Sequence, residues 1–146
     1  MRPGRTSPCS RGRGVTLADV STSKTTRPRV LIADDYPDMV KAVSRLLALD
    51  CEVVGSVAEG SALLEAAEQL QPDVIVLDVN LPNIHSLEAC REITRANPAM
   101  KVIMFTAGEE PNVSPAFFAA GASAFISKLS SVELLSTIKR LCIDRD

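Results

Sequence analysis

Apolar and polar positions in this chain switch between two periods, and they do so five times over. Arg29-Val30-Leu31-Ile32-Ala33 is a short β-rich run that stops abruptly at Asp34-Asp35. Pro37 suits a helix first turn, and Met39, Val40, Val43, Leu46 and Leu47 then recur at helical spacing. The same alternation predicts a strand over 53–57 and a helix over 58–70, with Leu63, Leu64, Ala67 and Leu70 on one face and Pro72 as its stop. Strands follow over 73–78, 101–106 and 123–127, and helices over 86–96, 112–120 and 130–142.

Runs that are apolar without interruption, as at 74–77 and 102–105, belong to strands covered on both faces. With right-handed crossovers, the five β-α units predict an α/β fold: a doubly wound five-stranded parallel sheet with helices on both faces, flavodoxin-like. In such a sheet the binding crevice lies beyond the carboxyl ends of the strands, so the residues that end each strand are the ones to inspect.

Those ends carry chemistry. The first strand ends in Asp34 and Asp35, the third in Asp78 and the fourth in Thr106, while the fifth runs into Lys128. One acidic residue at a strand end is commonly just solvated. Three carboxylates at one rim repel each other and raise one another's pKa values unless a cation sits among them. Carboxylate oxygens with an open solvent side suit Mg²⁺ better than zinc or a closed calcium cage. A divalent metal, an ammonium and a hydroxyl around one carboxylate form an arrangement for phosphoryl transfer, because those groups stabilise the charged oxygens of the moving phosphoryl.

Composition changes the picture in two places. The 146 residues hold 46% hydrophobic and 23% charged side chains, as expected of one folded unit. The longest apolar runs fall far short of the roughly 20 residues that span a bilayer, so no membrane role is expected. The formal charge of -2 hides an asymmetry. Residues 1–28 carry Arg2, Arg5, Arg11, Arg13, Lys24 and Arg27 against Asp19 alone, and are rich in Ser, Thr, Gly and Pro. They are read as a disordered basic tail, with 29–144 as the folded domain. No apolar stretch of a secretory signal is present, so a reducing cytoplasm is the expected setting. Cys9, Cys51, Cys90 and Cys142 form no C-x-x-C pair, and the last three read as small buried hydrophobes.

Taken together, Val30-Leu31-Ile32-Ala33-Asp34-Asp35, Val76-Leu77-Asp78-Val79-Asn80-Leu81-Pro82, Met104-Phe105-Thr106-Ala107 and Gly121-Ala122-Ser123-Ala124-Phe125-Ile126-Ser127-Lys128 resemble a response-regulator receiver domain of two-component signalling. Val53-Val54-Gly55 and Ala58-Glu59-Gly60 look closest to the subfamily that usually carries a helix-turn-helix output domain. The resemblance implies that Asp78 accepts a phosphoryl group from a phosphohistidine of a sensor histidine kinase or phosphotransfer protein. It implies that Asp35, Asp78 and the backbone carbonyl of Asn80 hold Mg²⁺, with Asp34 directly or through water. Lys128 would pair with the phosphoryl oxygens, Thr106 would move in to hydrogen-bond them, and Phe125 would be the aromatic switch. Such a domain is no enzyme acting on other molecules, though it assists its own phosphotransfer and slow dephosphorylation. The face spanning about 111–142 would dock a downstream protein, and a homodimer is left open.

The departures from the family pattern are also informative. Leu129 stands where the family commonly has proline, so a trans bond after Lys128 is expected. Ser86 is expected to cap the third helix, with Glu88 in its first turn. His85, the only histidine, reads as a loop side chain. Gly108 leaves one side of the pocket bare, which would admit attacking water. The chain stops at Asp146, so it reads as a stand-alone receiver or as a truncated regulator; direct DNA binding is not expected without an output domain. A phosphorylation-independent receiver-like binding module is a further alternative. An aspartate-based phosphatase is disfavoured because Asn80 cannot serve as its general acid. A flavin or nucleotide binder is disfavoured because the Asp34–Asp38 loop is anionic and would repel phosphate.

Overall fold

The computed structural model describes residues 27–107 and 114–143. Strands β1 (Arg29–Ala33), β2 (Glu52–Val57), β3 (Val74–Asp78), β4 (Lys101–Thr106) and β5 (Ala124–Ser127) alternate with helices α1 (Pro37–Leu47), α2 (Gly60–Leu70), α3 (Ser86–Ala96), α4 (Ser114–Ala119) and α5 (Val132–Ile143). A 3-10 turn, Lys128–Ser130, separates β5 from α5. All pairings are parallel and the sheet order is β2-β1-β3-β4-β5, so the order reverses between β1 and β3.

The two-residue period of a strand sorts the core into two layers. Leu31, Ile75, Leu77, Val102 and Met104 face one side with α2, α3 and α4, where Leu63, Ala67, Ile93 and Phe117 meet them. Val30, Ile32, Val76, Ile103 and Phe105 face the other with α1 and α5, against Val43, Leu47, Leu134 and Ile138. The middle strands β3 and β4 are almost wholly buried, whereas edge strand β2 is half-buried. This is the doubly wound arrangement expected from the uninterrupted apolar runs.

Most predicted boundaries hold to within two residues. The third helix differs in its cap: Ser86 is its first helical residue and His85 holds the cap position without a side-chain bond. The Ser86 hydroxyl donates instead to the Asp78 carbonyl at 2.9 Å. No cis peptide bond occurs among the described residues, so the trans geometry expected after Lys128 is observed. Cys51 and Cys90 are buried, and burial pushes both thiols up to about 11; Cys142 is half-buried. Among the described residues no helix is long and apolar enough to cross a membrane. Residues 1–26 of the basic tail, Cys9 among them, and Gly108 lie outside the described residues; the last two residues of that tail are held by the domain, Arg27 Nη1 donating to the Ala48 carbonyl at 3.1 Å and the Pro28 carbonyl accepting the Glu52 N–H at 2.8 Å.

Candidate functional site

The switch in strand order brings the carboxyl ends of β1 and β3 side by side, with Ala33 opposite Leu77 in register. The next residue of β1 and the last of β3 are therefore Asp34 and Asp78, both buried. Asp35 follows into solvent. Asp34, Asp35 and Asp78 each present a carboxylate oxygen within 4.8 Å of the others. The backbone turns outward at each acid through a short local bond. The Tyr36 N–H donates to Asp34 Oδ1 at 2.9 Å, and the Asn80 N–H donates to Asp78 Oδ1 at 3.0 Å. Each bond leaves the second carboxylate oxygen for other contacts.

Lys128 reaches those oxygens from the end of β5. Its ammonium lies 2.8 Å from Asp34 Oδ2 and 3.5 Å from Asp78 Oδ2. The same ammonium stands 5.7 Å from the centre of the Phe105 ring, whose face favours a cation. The missing proline is replaced by a local device: the Leu129 N–H, which proline would lack, donates to Ser127 Oγ at 3.1 Å. That bond closes the 3-10 turn that carries Lys128.

Charge balance at the site is incomplete. Burial pushes the Asp78 carboxyl above its ordinary value of 3.8, and the Asn80 N–H and the Lys128 ammonium oppose the shift while Asp34 adds to it. Asp34 Oδ2 is buried and, despite the 2.8 Å approach of Lys128, has no donor aligned for a hydrogen bond among the described residues. Attraction of charge, not a directed bond, holds that contact. Three carboxylates against one ammonium leave an excess of two negative charges. An oxygen-rich, anionic donor set with one buried lone pair unused fits a hard divalent cation such as Mg²⁺.

The remaining residues singled out in the sequence fall around this cluster. Thr106 ends β4 one position beyond Phe105, the register partner of Asp78, and is buried. Phe125 is half-buried, its ring 5.9 Å from that of Phe117 and tilted by 54°. Asn80 is exposed on the loop after β3. Of the face at 111–142, α4, β5 and α5 are described, with Phe118, Leu129 and Val132 exposed; residues 111–113 lie outside. Three contributors escaped the sequence reading: Phe105 beneath the lysine, Ser127 at the turn, and Ser86 on the Asp78 carbonyl.

Comparison with known proteins agrees with this geometry. The profile of the response regulator receiver domain matches residues 30–139. Response regulator GacA of Pseudomonas viridiflava is 37% identical over 102 residues, covering 68% of this chain and 48% of that protein. The chain thus spans about half the length of the curated relatives it matches. Among solved structures, a LuxR-family two-component response regulator from Aurantimonas sp. superposes with a TM-score of 0.76 at 26% identity, covering 82% of this chain and 88% of its own. The BeF3-activated receiver domain of DrrB from Thermotoga maritima gives 0.73 at 28% identity, covering 81% and 99%.

Proposed function

The chain belongs to the response regulator receiver family, and on that premise we propose that Asp78 accepts a phosphoryl group from the phosphohistidine of a sensor histidine kinase or phosphotransfer protein. The observation that carries this reading is the Asp78 carboxylate at the carboxyl end of β3, with Asp34, Asp35 and Lys128 gathered around it. An Asp78 oxygen attacks phosphorus in line as the bond to the donor imidazole breaks, and the bonding pair returns to the ring. Asp35, Asp78, the Asn80 carbonyl and Asp34 would hold Mg²⁺, which would supply charge neutralisation for the phosphoryl oxygens. Lys128 leaves the Asp34 contact for those oxygens, a short move because its ammonium already lies between both carboxylates.

The new charge biases a two-state surface. Thr106 turns its hydroxyl to the phosphoryl group, and Phe125, packed against Phe117, turns inward as Thr106 moves. The face built by α4, β5 and α5 then changes its fit to a downstream protein. The DrrB receiver is described as BeF3-activated, which supports a phosphoryl-shaped anion as the trigger here. In this reading residues 29–144 are the receiver, 1–28 a basic extension, and the setting is the cytoplasm. The role is signalling, with the chain assisting only its own phosphorylation and slow dephosphorylation.

The test is the intact mass after incubation with Mg²⁺ and a small acyl phosphate, for wild type beside Asp78→Asn. A gain of one phosphoryl group in wild type only supports the reading. No gain in wild type, with Mg²⁺ binding intact, favours a phosphorylation-independent binding module.

A further inference from the structure

The loop from Val79 to His85 carries Asn80, and its two ends are held differently. Its root is tied to Asp78: the Asn80 N–H bonds Oδ1, the Leu81 N–H bonds the carbonyl at 3.2 Å, and Ser86 Oγ bonds that carbonyl at 2.9 Å. Its tip is held from outside, by the start of α2. The Gly60 N–H donates to the Pro82 carbonyl at 2.8 Å, and Asn83 Nδ2 donates to Glu59 Oε1 at 2.9 Å. Ser61 Oγ donates to the same Glu59 oxygen at 2.8 Å and steadies it. Asn83 sits in the left-handed region at φ 64, so the turn is committed to one shape.

Gly60 makes this contact feasible. A Cβ built there would lie 2.0 Å from both Cβ and Cγ2 of Ile84. Ordinary packing needs more than an ångström of further separation, and helix α2 is anchored beneath by Leu63 and Ala67. The loop would have to yield.

We propose that Gly60 and Glu59 are positioning residues that set the place of the Asn80 carbonyl by holding the tip of its loop against α2. This rests on the reading of that carbonyl as a Mg²⁺ ligand. Mg²⁺ demands near-ideal octahedral geometry at about 2.0–2.1 Å, so an ångström-scale shift of one ligand is poorly tolerated. A carboxylate cluster alone would draw the ion in, and the clamp decides whether the carbonyl completes the shell.

The chain has one tyrosine and no tryptophan, and Tyr36 directly follows Asp35, so its emission reports Mg²⁺ titrated into the intact protein. Gly60→Ala is expected to weaken Mg²⁺ binding by about tenfold, measured well below its melting temperature. Val43→Ala, a cavity on the opposite face of the sheet, lowers the melting temperature but leaves Mg²⁺ affinity unchanged. Glu59→Ala, an exposed change that folding tolerates, weakens binding by about threefold, and Glu59→Gln, which keeps the acceptor oxygen, does not.

Three results overturn the proposal. The first is wild-type affinity in both Gly60→Ala and Glu59→Ala. The second is equal loss in Glu59→Gln and Glu59→Ala, which assigns the effect to charge alone. The third is a loss in Val43→Ala that tracks its melting temperature as in Gly60→Ala. If Gly60→Ala fails to fold, the Glu59 pair decides. Wild-type protein that does not bind Mg²⁺ removes the metal reading itself, and the proposal with it, an outcome distinct from the other three.

Discussion

Strand β3 is flanked by one aspartate at each end, and the two live in opposite circumstances. Asp73, just before the strand, accepts the Arg29 N–H on Oδ2 at 2.9 Å, while its own N–H donates to the Arg29 carbonyl at 2.8 Å. Its carbonyl takes the Lys101 N–H at 3.0 Å, and the Arg29 guanidinium closes the end of α2 through the carbonyls of Leu70 and Gln71. Asp78, at the other end, is more deeply buried, sits among like charges and has its pKa pushed up by that burial. The first acid joins three strands and is satisfied by them. The second is held in an environment that disfavours its own charge, which a bound cation would relieve. The same residue type, five positions apart, is satisfied by backbone partners at one end and crowded by like charge at the other.

Removing the two carboxylates separately should have the largest effect. Asp78→Asn should abolish phosphoryl acceptance outright, whereas Asp73→Asn, which keeps an acceptor for the Arg29 N–H, should leave it at wild-type level; intact mass reads both. Next in size is Lys128→Met, expected to slow phosphorylation by about a hundredfold or more, because a preorganised cation is lost from the developing charge. A rate within a few-fold of wild type would show that Lys128 serves only to neutralise Asp34.

Stability should respond in opposite directions. Asp73→Ala strands a backbone N–H and should lower stability by about 1–3 kcal/mol in urea unfolding. Asp78→Asn should raise the melting temperature in metal-free buffer, since a buried charge repelled by Asp34 is exchanged for a neutral isostere. A lower melting temperature would mean that the pair with Lys128 outweighs burial and repulsion. The smallest effect is the dependence on pH. Because the folded pKa of Asp78 is raised, the native state holds a proton that the unfolded chain has lost, over the interval above the ordinary value of 3.8. Stability contributed by this group is therefore full below that value and falls as pH rises through the folded pKa. Asp78→Asn should flatten that slope, and saturating Mg²⁺ should oppose it.

Much of this was legible in the sequence because strand and site share one signal. An apolar run that stops at a carboxylate both ends a buried strand and places an acid at the sheet's binding edge, as at Ala33-Asp34-Asp35 and Leu77-Asp78. Contacts between distant segments left no such trace. Gly60 and Ile84 are 24 positions apart, and nothing in either neighbourhood announces that the Ile84 side chain fills the space a Gly60 Cβ would take. Phe105 reads as core because it is core, and its second use under Lys128 depends on the register of β4 with β5. The cap of α3 was misread for a related reason. Ser86 is a good capping residue by type, but it lies one position inside the helix, and its hydroxyl donates to the buried Asp78 carbonyl eight positions back.

In the proposed reaction Asp78 itself carries the phosphoryl group. Treating the phosphorylated protein with borohydride reduces an aspartyl phosphate to homoserine, and peptide mass mapping then locates the altered residue. The account requires homoserine at position 78 and nowhere else, formed only when Mg²⁺ and the phosphodonor are both present. Phosphorylated protein that yields no homoserine, or yields it at Asp34, Asp35 or Asp73, would contradict it.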